Sequence, residues 1–265
     1  MKKIFALLLA LLLLALPLVA CSKDGEEDGN KEIDLAVTGN DLLYTPEGTT
    51  DVYHYVYHSG DEVAIVGYEG AHTAHAISVP EKIDDRPVTL ISTDAFKSVT
   101  SITAVTLPNT IVEIEAFAFY GCSAMTTINM PTALKAIGEG AFANCTALYK
   151  EATLVIPDTV TEIGMIAFYG CESMQGVQLP VSFKNLPDQL FMGCKALTTV
   201  AWSAEGEEIG SCAFMGCESL TTINVPGTLK TVGDYAFADC KVLPALSLPA
   251  ETVCGNNVFY VSAAQ

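Results

Sequence analysis

The chain has 265 residues, half of them hydrophobic, and 31 acidic against 13 basic residues give a formal net charge of −18. This apolar content suffices for a buried core, and the negative charge repels phosphate backbones, which argues against nucleic-acid binding. The sequence contains no phosphate-binding loop and no G-x-S-x-G, H-E-x-x-H or calcium-loop pattern, so it offers no catalytic residue and no cofactor site.

The first forty residues divide into an apolar and an acidic segment. Met1-Lys-Lys precedes an apolar run from Ile4 to Leu18 that is too short for a comfortable membrane span, and Val-Ala-Cys21 follows it. Residues 1–20 resemble a lipoprotein signal peptide, which implies lipid attachment at Cys21; an ordinary secretory signal is the alternative. Residues 21–40, rich in Asp, Glu and Gly, predict a flexible acidic tether. The resemblance implies export to the bacterial cell surface, with the outer membrane favoured and membrane contact only through the lipid.

Residues 41–80 predict a small β-rich N-terminal cap. The stretch Val52–His58 alternates as a strand does, with Tyr53, Tyr55 and Tyr57 on one face. We expect the cap to cover the first unit of the repeat that follows, because an open first unit would expose core and a sheet edge.

All four histidines, His54, His58, His72 and His75, lie in this cap. Residues four apart on a strand are roughly 13 Å apart, and residues three apart face opposite sides. Zinc needs ligands within about 2.1 Å of one point. We therefore predict no metal site, and a hydrolase with a metal in the cap is the weakest of the functional alternatives.

A phenylalanine recurs after 23, 23, 26, 23, 23, 23 and 22 residues, at Phe96, Phe119, Phe142, Phe168, Phe191, Phe214, Phe237 and Phe259. A period of this length indicates a solenoid, in which each coil buries its apolar face against its neighbours. Residues 81–265 are therefore predicted to form one solenoid, with these rings stacked along its core.

Each coil reads I-G-x-x-A-F-x-x-C-x-x-L-x-x-I-x-L-P with small variations. The L-x-x-I-x-L-P part predicts a short strand that proline ends, and stacked coils make a parallel β-sheet. The A-F-x-x-C part is too short for a regular helix and predicts one helical or 3₁₀ turn. The fold class is an α/β repeat: a solenoid with a parallel sheet, short helical or 3₁₀ turns and a small β-rich N-terminal cap.

These two motifs, present in seven or eight copies between about residues 80 and 260, resemble the BspA-like, or treponemal-type, leucine-rich repeats. The resemblance implies a leucine-rich-repeat surface lipoprotein that acts as an adhesin-like binding module for host matrix proteins or other cells, without catalysis. A glycan-binding surface lipoprotein is the alternative, and the three cap tyrosines would then stack on sugars.

One residue per strand faces outward between the last two apolar positions, because strand side chains alternate. This outward row comprises Thr106, Asn129, Val155, Gln178, Ala201, Asn224 and Ser247. Its hydrogen-bonding members are candidate binding residues for an extracellular protein or cell-surface ligand, namely Thr106, Asn129, Gln178 and Asn224.

The repeat departs from its pattern in three coils. Three extra residues follow Leu148 and bring in Tyr149 and Lys150, Leu186-Pro187 replaces I-G, and Trp202 replaces a leucine. Insertions in repeat proteins often lie on a binding face, and aromatic residues anchor interfaces. Tyr149, Lys150 and Trp202 are therefore further candidate binding residues. The alternative is drift of the repeat, with Trp202 filling the core.

Six cysteines share one repeat position, which predicts a ladder of buried, reduced thiols: Cys122, Cys145, Cys171, Cys194, Cys217 and Cys240. Cys254 takes the position of a buried isoleucine, and Cys212, outside the apolar positions, is predicted to be the most reactive thiol. The last strand, Leu243–Leu248, has no polar cap after it. Its free edge suggests weak self-association.

Overall fold

Short parallel strands, stacked coil upon coil, make up most of the described chain. The structure is a computed structural model that describes residues 41–262. The signal peptide predicted at 1–20, the lipid-attachment residue Cys21 and the tether at 21–40 lie outside these residues. Within residues 41–262 there is no helix that is long and apolar enough to cross a membrane.

The N-terminal strands form an antiparallel unit that leads into the repeat. β1 (Leu42–Tyr44), β2 (Val52–His58) and β3 (Glu62–Glu69) pair in that order. The next strands are β4 (His75–Ser78), β5 (Lys82–Ile83), β6 (Arg86–Ile91) and β7 (Ile102–Thr106). β3 pairs parallel with β6 and β4 pairs parallel with β7. The parallel stacking therefore begins inside the segment 41–80 that was predicted to be a separate cap.

Each coil contributes two strands, where the sequence predicted one. The L-x-x-I-x-L-P segments continue after β7 with β9 (Thr127–Ile128), β11 (Thr153–Val155), β13 (Gly176–Gln178), β15 (Thr199–Ala201) and β17 (Thr222–Ile223). The segments before the I-G glycine give β8 (Glu113–Ile114), β10 (Ala136–Ile137), β12 (Glu162–Ile163), β14 (Asn185–Leu186), β16 (Glu208–Ile209), β18 (Thr231–Val232) and β19 (Val253–Cys254).

The strands assemble into four sheets. Their orders are β1-β2-β3-β6-β8-β10-β12 with β5 beside β6, then β4-β7-β9, β11-β13-β15-β17 and β14-β16-β18-β19. The ladder breaks between β12 and β14 because Pro187 has no N–H. In the neighbouring coils this N–H belongs to a glycine, as when Gly164 donates to Ile137 O at 2.8 Å.

The second break, between β9 and β11, coincides with the insertion. The N–H of Tyr149 donates to Thr126 O at 2.9 Å, and its hydroxyl donates to Ile128 O. Tyr149 therefore donates to two carbonyl groups at the edge of β9, where a paired strand would otherwise donate to them. Its side chain packs partly buried against the core, and burial raises its pKa to about 12.

The A-F-x-x-C segments are turns, and no helix occurs within residues 41–262, so the predicted helical or 3₁₀ turn is not formed. The N–H groups alternate between two partners. Phe119 donates to Ala141 O of the next coil at 2.8 Å, whereas Tyr120 donates to Phe117 O of its own coil at 2.9 Å. A helix needs consecutive N–H groups to bond within the segment. The bonds between coils prevent that.

The predicted phenylalanine stack is confirmed. Successive rings from Phe96 to Phe259 lie 4.9 to 5.7 Å apart, with planes 4 to 17° from parallel. At the N-terminal end, Tyr53 is fully buried and packs edge-on against Phe96 at 6.4 Å. The hairpin formed by β2 and β3 thus covers the first coil, as expected of the cap.

The six repeat cysteines form a second ladder of free, buried thiols. Each Sγ donates a hydrogen bond of 3.0 to 3.2 Å to the carbonyl of the phenylalanine one coil earlier. The buried position predicted for Cys254 is wrong, because Cys254 is exposed and no described coil packs over its end of the core. Cys212 is only 5% exposed, and this burial argues against the reactivity predicted for it.

The segment Leu243–Leu248 forms no strand, contrary to the prediction. In the two preceding coils the residue after the leucine donates its N–H to the coil before, as when Thr221 donates to Thr198 O at 3.0 Å. Pro244 takes this position and has no N–H to donate. The ladder of this sheet therefore ends at β17.

Candidate binding surface

The three irregular coils are consecutive and contribute strands β11, β13 and β15 to the sheet β11-β13-β15-β17. The inward residues of these strands are buried, whereas Gln178, Val155 and Ala201 are exposed in one register. This confirms the predicted direction of the outward row. Thr106 and Asn129 are also exposed but belong to β7 and to the end of β9, on the far side of the break. The candidate residues are therefore not gathered in one sheet.

Two asparagines of the outward row clasp the neighbouring backbone. The side-chain amide of Asn224 accepts a bond from Trp202 N–H at 2.7 Å and donates one to Trp202 O at 2.7 Å. Asn129 does the same with Leu107, at 2.7 and 2.9 Å. Each amide thus replaces a strand residue just past the last paired position of β17 or β9. These two amides are therefore engaged with the main chain of the preceding coil. Gln178 lies on the same row, and in the described structure its side chain makes no such pair of bonds.

Trp202 is 6% exposed and lies in the core, which agrees with the alternative given for it above. Its indole Nε1–H donates to Phe183 O at 2.8 Å, and its ring lies so close to Gly206 that an added Cβ would be 2.4 Å from the ring. Ser203, in place of the usual proline, donates through its hydroxyl to Val181 O at 2.5 Å. This coil is therefore built around the indole.

A groove of about 550 Å³ opens beside the chain segments that follow β13 and β15. Its lining comprises Gln178, Leu179, Val181, Ser182, Ala201, Trp202, Ser203, Ala204 and Glu205. Val181 is 66% exposed, more than any other large apolar residue of this surface. Val181 was not among the candidate residues predicted from the sequence, although the sequence contains a signal for it. The three preceding coils have a polar residue directly after the proline that ends the strand, namely Asn109, Thr132 and Asp158, whereas this coil has a valine.

Charges surround one end of this groove. Glu205 is 73% exposed and lies 3.9 Å from Lys184, which is itself 3.6 Å from Glu207. Lys230, hydrogen-bonded to Glu207, holds the pKa of that carboxyl below its usual value. The rim is therefore partly neutralised, and Glu205 is its most exposed carboxylate. Lys150 is exposed in the insertion, beyond the break at β11.

The cap does not present its tyrosines as a row of exposed rings. Tyr53 is fully buried and Tyr55 is 5% exposed, whereas Tyr57 is 45% exposed. The hydroxyls of Tyr55 and Tyr57 both donate to Asp84 Oδ2, at 2.8 and 2.6 Å, and these bonds lower the pKa of Asp84. Only Tyr57 remains accessible for stacking on a sugar, and Arg86 lies over its ring at 4.4 Å.

The histidines have separate partners. His54 lies 3.3 Å from Glu69, and His58 Nε2 lies 3.1 Å from Thr89 Oγ1. His75 contacts the buried Asp51 at 3.2 Å and the hydroxyl of Tyr68 at 2.9 Å. In the part of the chain that the structure describes, no three histidine, cysteine or acidic side chains come together as metal ligands would.

The family model described as the BspA type leucine rich repeat region, in six copies, matches residues 75–153 and 149–264. No functionally curated protein matches the chain.

Solved structures of bacterial repeat proteins are similar to the chain. A leucine-rich repeat protein from Bacteroides ovatus is 27% identical with a TM-score of 0.60 over 78% of this chain, and a leucine-rich cell surface protein from Faecalibacterium prausnitzii is 28% identical with a TM-score of 0.64 over 80%. The leucine-rich repeat protein of T. pallidum is 26% identical with a TM-score of 0.53, over 76% of this chain and 90% of that protein.

The match to the B. ovatus protein covers 60% of that protein, and the match to the F. prausnitzii protein covers 55%. The family model, by contrast, matches nearly the whole of the described solenoid. The stacked coils, the two residue ladders and the sequence match agree, and the chain belongs to the BspA-type leucine-rich repeat family.

Proposed function

We propose that the chain is an exported bacterial surface protein that binds an extracellular protein or another cell-surface ligand through the groove at Val181 and the adjoining outer face of the sheet. The observation that carries this proposal is the groove itself. An apolar side chain that is two-thirds exposed, flanked by Gln178 and Glu205, combines apolar contact with hydrogen-bonding and charged groups at its edge.

The surface around the groove is rigid. Trp202, Ser203 and Asn224 are each hydrogen-bonded to the neighbouring coil, so the groove keeps its shape without a ligand. A preformed site loses little conformational entropy on binding. No residue of the outward row is aromatic, so we expect modest affinity at any single site.

The proposal includes no catalysis. A reactive cysteine needs a lowered pKa and an accessible thiolate. Here burial raises the pKa of Cys122 and Cys194 to about 12, and their Sγ atoms donate to main-chain carbonyls. A periodic thiol ladder of this kind is a packing device.

Export and a lipid at Cys21 complete the proposal. The apolar segment ending at Cys21 supports them, and the similar F. prausnitzii protein is a leucine-rich cell surface protein. Host matrix proteins or other cells are the proposed ligand class. Metabolic labelling with a fatty-acid analogue should label the wild-type chain and leave Cys21→Ala unlabelled. Labelling of both, or of neither, would contradict the anchor.

Binding is tested with the purified protein on an array of host matrix proteins, intact host cells and glycans. Val181→Asp places a charge in the groove and should weaken binding about tenfold or more, since one buried charge in an apolar contact is worth at least 1.4 kcal/mol. Val112→Asp is the matched control, because Val112 is 41% exposed and lies outside the groove. Equal binding by Val181→Asp and wild type would place the site elsewhere. Binding to glycans alone would favour the sugar-binding alternative.

A further inference from the structure

The groove at Val181 lacks a hydrogen bond that two of the preceding coils form. There, the polar residue after the strand-ending proline accepts an N–H from the corresponding residue one coil later. Asn109 Oδ1 accepts the N–H of Thr132 at 3.1 Å, and Asp158 Oδ1 accepts the N–H of Val181 at 2.9 Å. Val181 takes the same position in its own coil, but its side chain has no oxygen. The N–H of Ala204, one coil later, therefore receives no such bond.

The groove thus combines hydrogen-bond donors with an apolar surface. Ala204 is exposed and lines the groove together with Ser182 and Gln178. The Ala204 N–H, the Ser182 hydroxyl and the Gln178 amide can each donate. Val181 adds an exposed apolar side chain. An extended peptide presents main-chain carbonyls between side chains that alternate in direction, and such a segment matches this combination.

One carboxylate of the groove is incompletely neutralised. Glu205 lines the groove, is 73% exposed and has Lys184 at 3.9 Å. Lys184 is shared, because it lies closer to Glu207, at 3.6 Å. A second carboxylate, that of Asp158, is held beside the groove by its bond to the main chain of Val181. The net charge of −18 adds a long-range field that attracts cations.

We infer that the groove binds an extended, positively charged segment of an extracellular protein, an inference that rests on the function proposed above. The segment places an apolar side chain against Val181, a main-chain carbonyl on the N–H of Ala204, and a neighbouring Lys or Arg side chain on Glu205. Acidic segments are rejected by that carboxylate and by the charge of the whole chain. Because exposed ion pairs contribute little affinity, the charge determines partner choice and association rate, while the apolar contact and the main-chain bond hold the segment.

Panning a bead-bound library of short linear peptides with the purified protein tests the predicted preference. The selected peptides should share an apolar residue with Lys or Arg beside it, and Val181→Asp should fail to select them. Selection of acidic or uncharged peptides, or of no peptide, would overturn the inference.

Fluorescence anisotropy of one selected peptide measures the contribution of the charge. Glu205→Gln should raise the dissociation constant about two- to fivefold and make it less dependent on salt, because an exposed ion pair is lost. Glu81→Gln is the matched control, since Glu81 is exposed in the segment before β5 and lies outside the groove, and it should bind as wild type does. The same constant and the same salt dependence in Glu205→Gln and wild type would contradict the ion pair.

The main-chain bond is tested with two substitutions of Val181. Val181→Ala removes apolar contact alone. Val181→Asn also supplies an oxygen where Asp158 carries its own, so that it accepts the N–H of Ala204 in place of the ligand. Val181→Asn should therefore bind the peptide about threefold or more weakly than Val181→Ala. Equal binding by the two would show that this N–H takes no part. Position 181 is exposed, so both variants should unfold at the wild-type temperature.

Competition on the array of matrix proteins separates this inference from the proposed function. A selected basic peptide should displace the array ligand from the wild-type protein, which supports both. If Val181→Asp loses the array ligand while no basic peptide displaces it from wild type, the groove binds a different ligand and only the inference falls. If Val181→Asp binds the array as wild type does, both fall.

Discussion

The thiol of Cys171 donates a hydrogen bond to the carbonyl of Phe142 in the preceding coil at 3.2 Å, and the Phe142 ring stacks on Phe168 at 5.5 Å. One residue is thus held by the next coil through both its main chain and its side chain. Cysteine suits this position because it is small and apolar yet carries a weak donor. The Phe142 carbonyl also accepts the N–H of Cys145 at 3.2 Å, so the thiol supplies the second of its two hydrogen bonds.

Replacing Cys171 with alanine should lower the free energy of unfolding by about 1–2 kcal/mol, since the change removes a buried sulfur and one of the two hydrogen bonds to the Phe142 carbonyl. Urea denaturation measures the loss. Cys254→Ala is the matched control and should change the free energy by less than about 0.5 kcal/mol, because Cys254 is exposed. Equal stability of the two variants would show that the thiol bond contributes nothing.

Stability should fall in alkali as the buried thiols titrate. Burial raises the pKa of Cys122, Cys194 and Cys240 from 9.0 to about 12. Below pH 9 both states keep these protons; between pH 9 and 12 the unfolded chain releases protons that the folded chain retains, so the free energy of unfolding decreases as pH rises. The decrease is about 1.4 kcal/mol per pH unit for each thiol.

Urea denaturation at a series of pH values from 8 to about 11 measures this slope. Cys194→Ala should show a shallower slope than wild type, because one of the titrating thiols is gone. Cys254→Ala serves as the control and should keep the wild-type slope. If the Cys194 variant and wild type lose stability in parallel, other groups dominate the alkaline transition.

The periodic residues were predictable because every coil repeats them. Phenylalanine and cysteine recur at one position each, and their stacking follows from the period alone. The second strand of each coil was not predictable in this way. Glu113–Ile114 is two residues long and shows no alternation, and its partners in β6 and β10 are more than twenty residues away along the chain.

The candidate surface was predictable only in part. Sequence irregularity identified Tyr149, Trp202 and Pro187, which do lie at ladder breaks or beside the groove. It could not show that Tyr149 and Trp202 donate hydrogen bonds to carbonyls of neighbouring coils. Those bonds depend on the space left by an insertion or by Gly206, and that space exists only once the coils are stacked.

Where a glycine follows the second strand of a coil, that position should tolerate no side chain. A Cβ on Gly138 would lie 2.5 Å from Ala116 N, a backbone atom that the ladder holds in place. Gly138→Ala should therefore lower the free energy of unfolding by about 2 kcal/mol or more. Gly227→Ala is the control, because an added Cβ meets nothing within 4 Å there, and it should be neutral or slightly stabilising. Similar losses in both variants would point to helix or strand propensity and away from contact between coils.

The Asn224 clasp separates residues that hold the sheet from residues that face a ligand. Asn224→Ala removes both bonds to Trp202 and should lower the free energy of unfolding by about 1–2 kcal/mol, a shift of roughly 2–8 °C in Tm for a chain of this size. Asn224→Asp should be at least as destabilising, because its carboxylate faces the Trp202 carbonyl.

Gln178→Ala is the matched control on the same row, and its Tm should stay within about 1 °C of wild type, since its side chain makes no such clasp. Ligand binding should show the reverse order: Gln178→Ala should weaken it more than Asn224→Ala. Gln178 lines the groove, whereas the amide of Asn224 is already bonded to the chain. A large loss of stability in Gln178→Ala, or none in Asn224→Ala, would contradict this division of roles. Where both results hold, an outward-facing asparagine in this fold is a main-chain substitute, and the outward row must be searched for ligand contacts at its other positions.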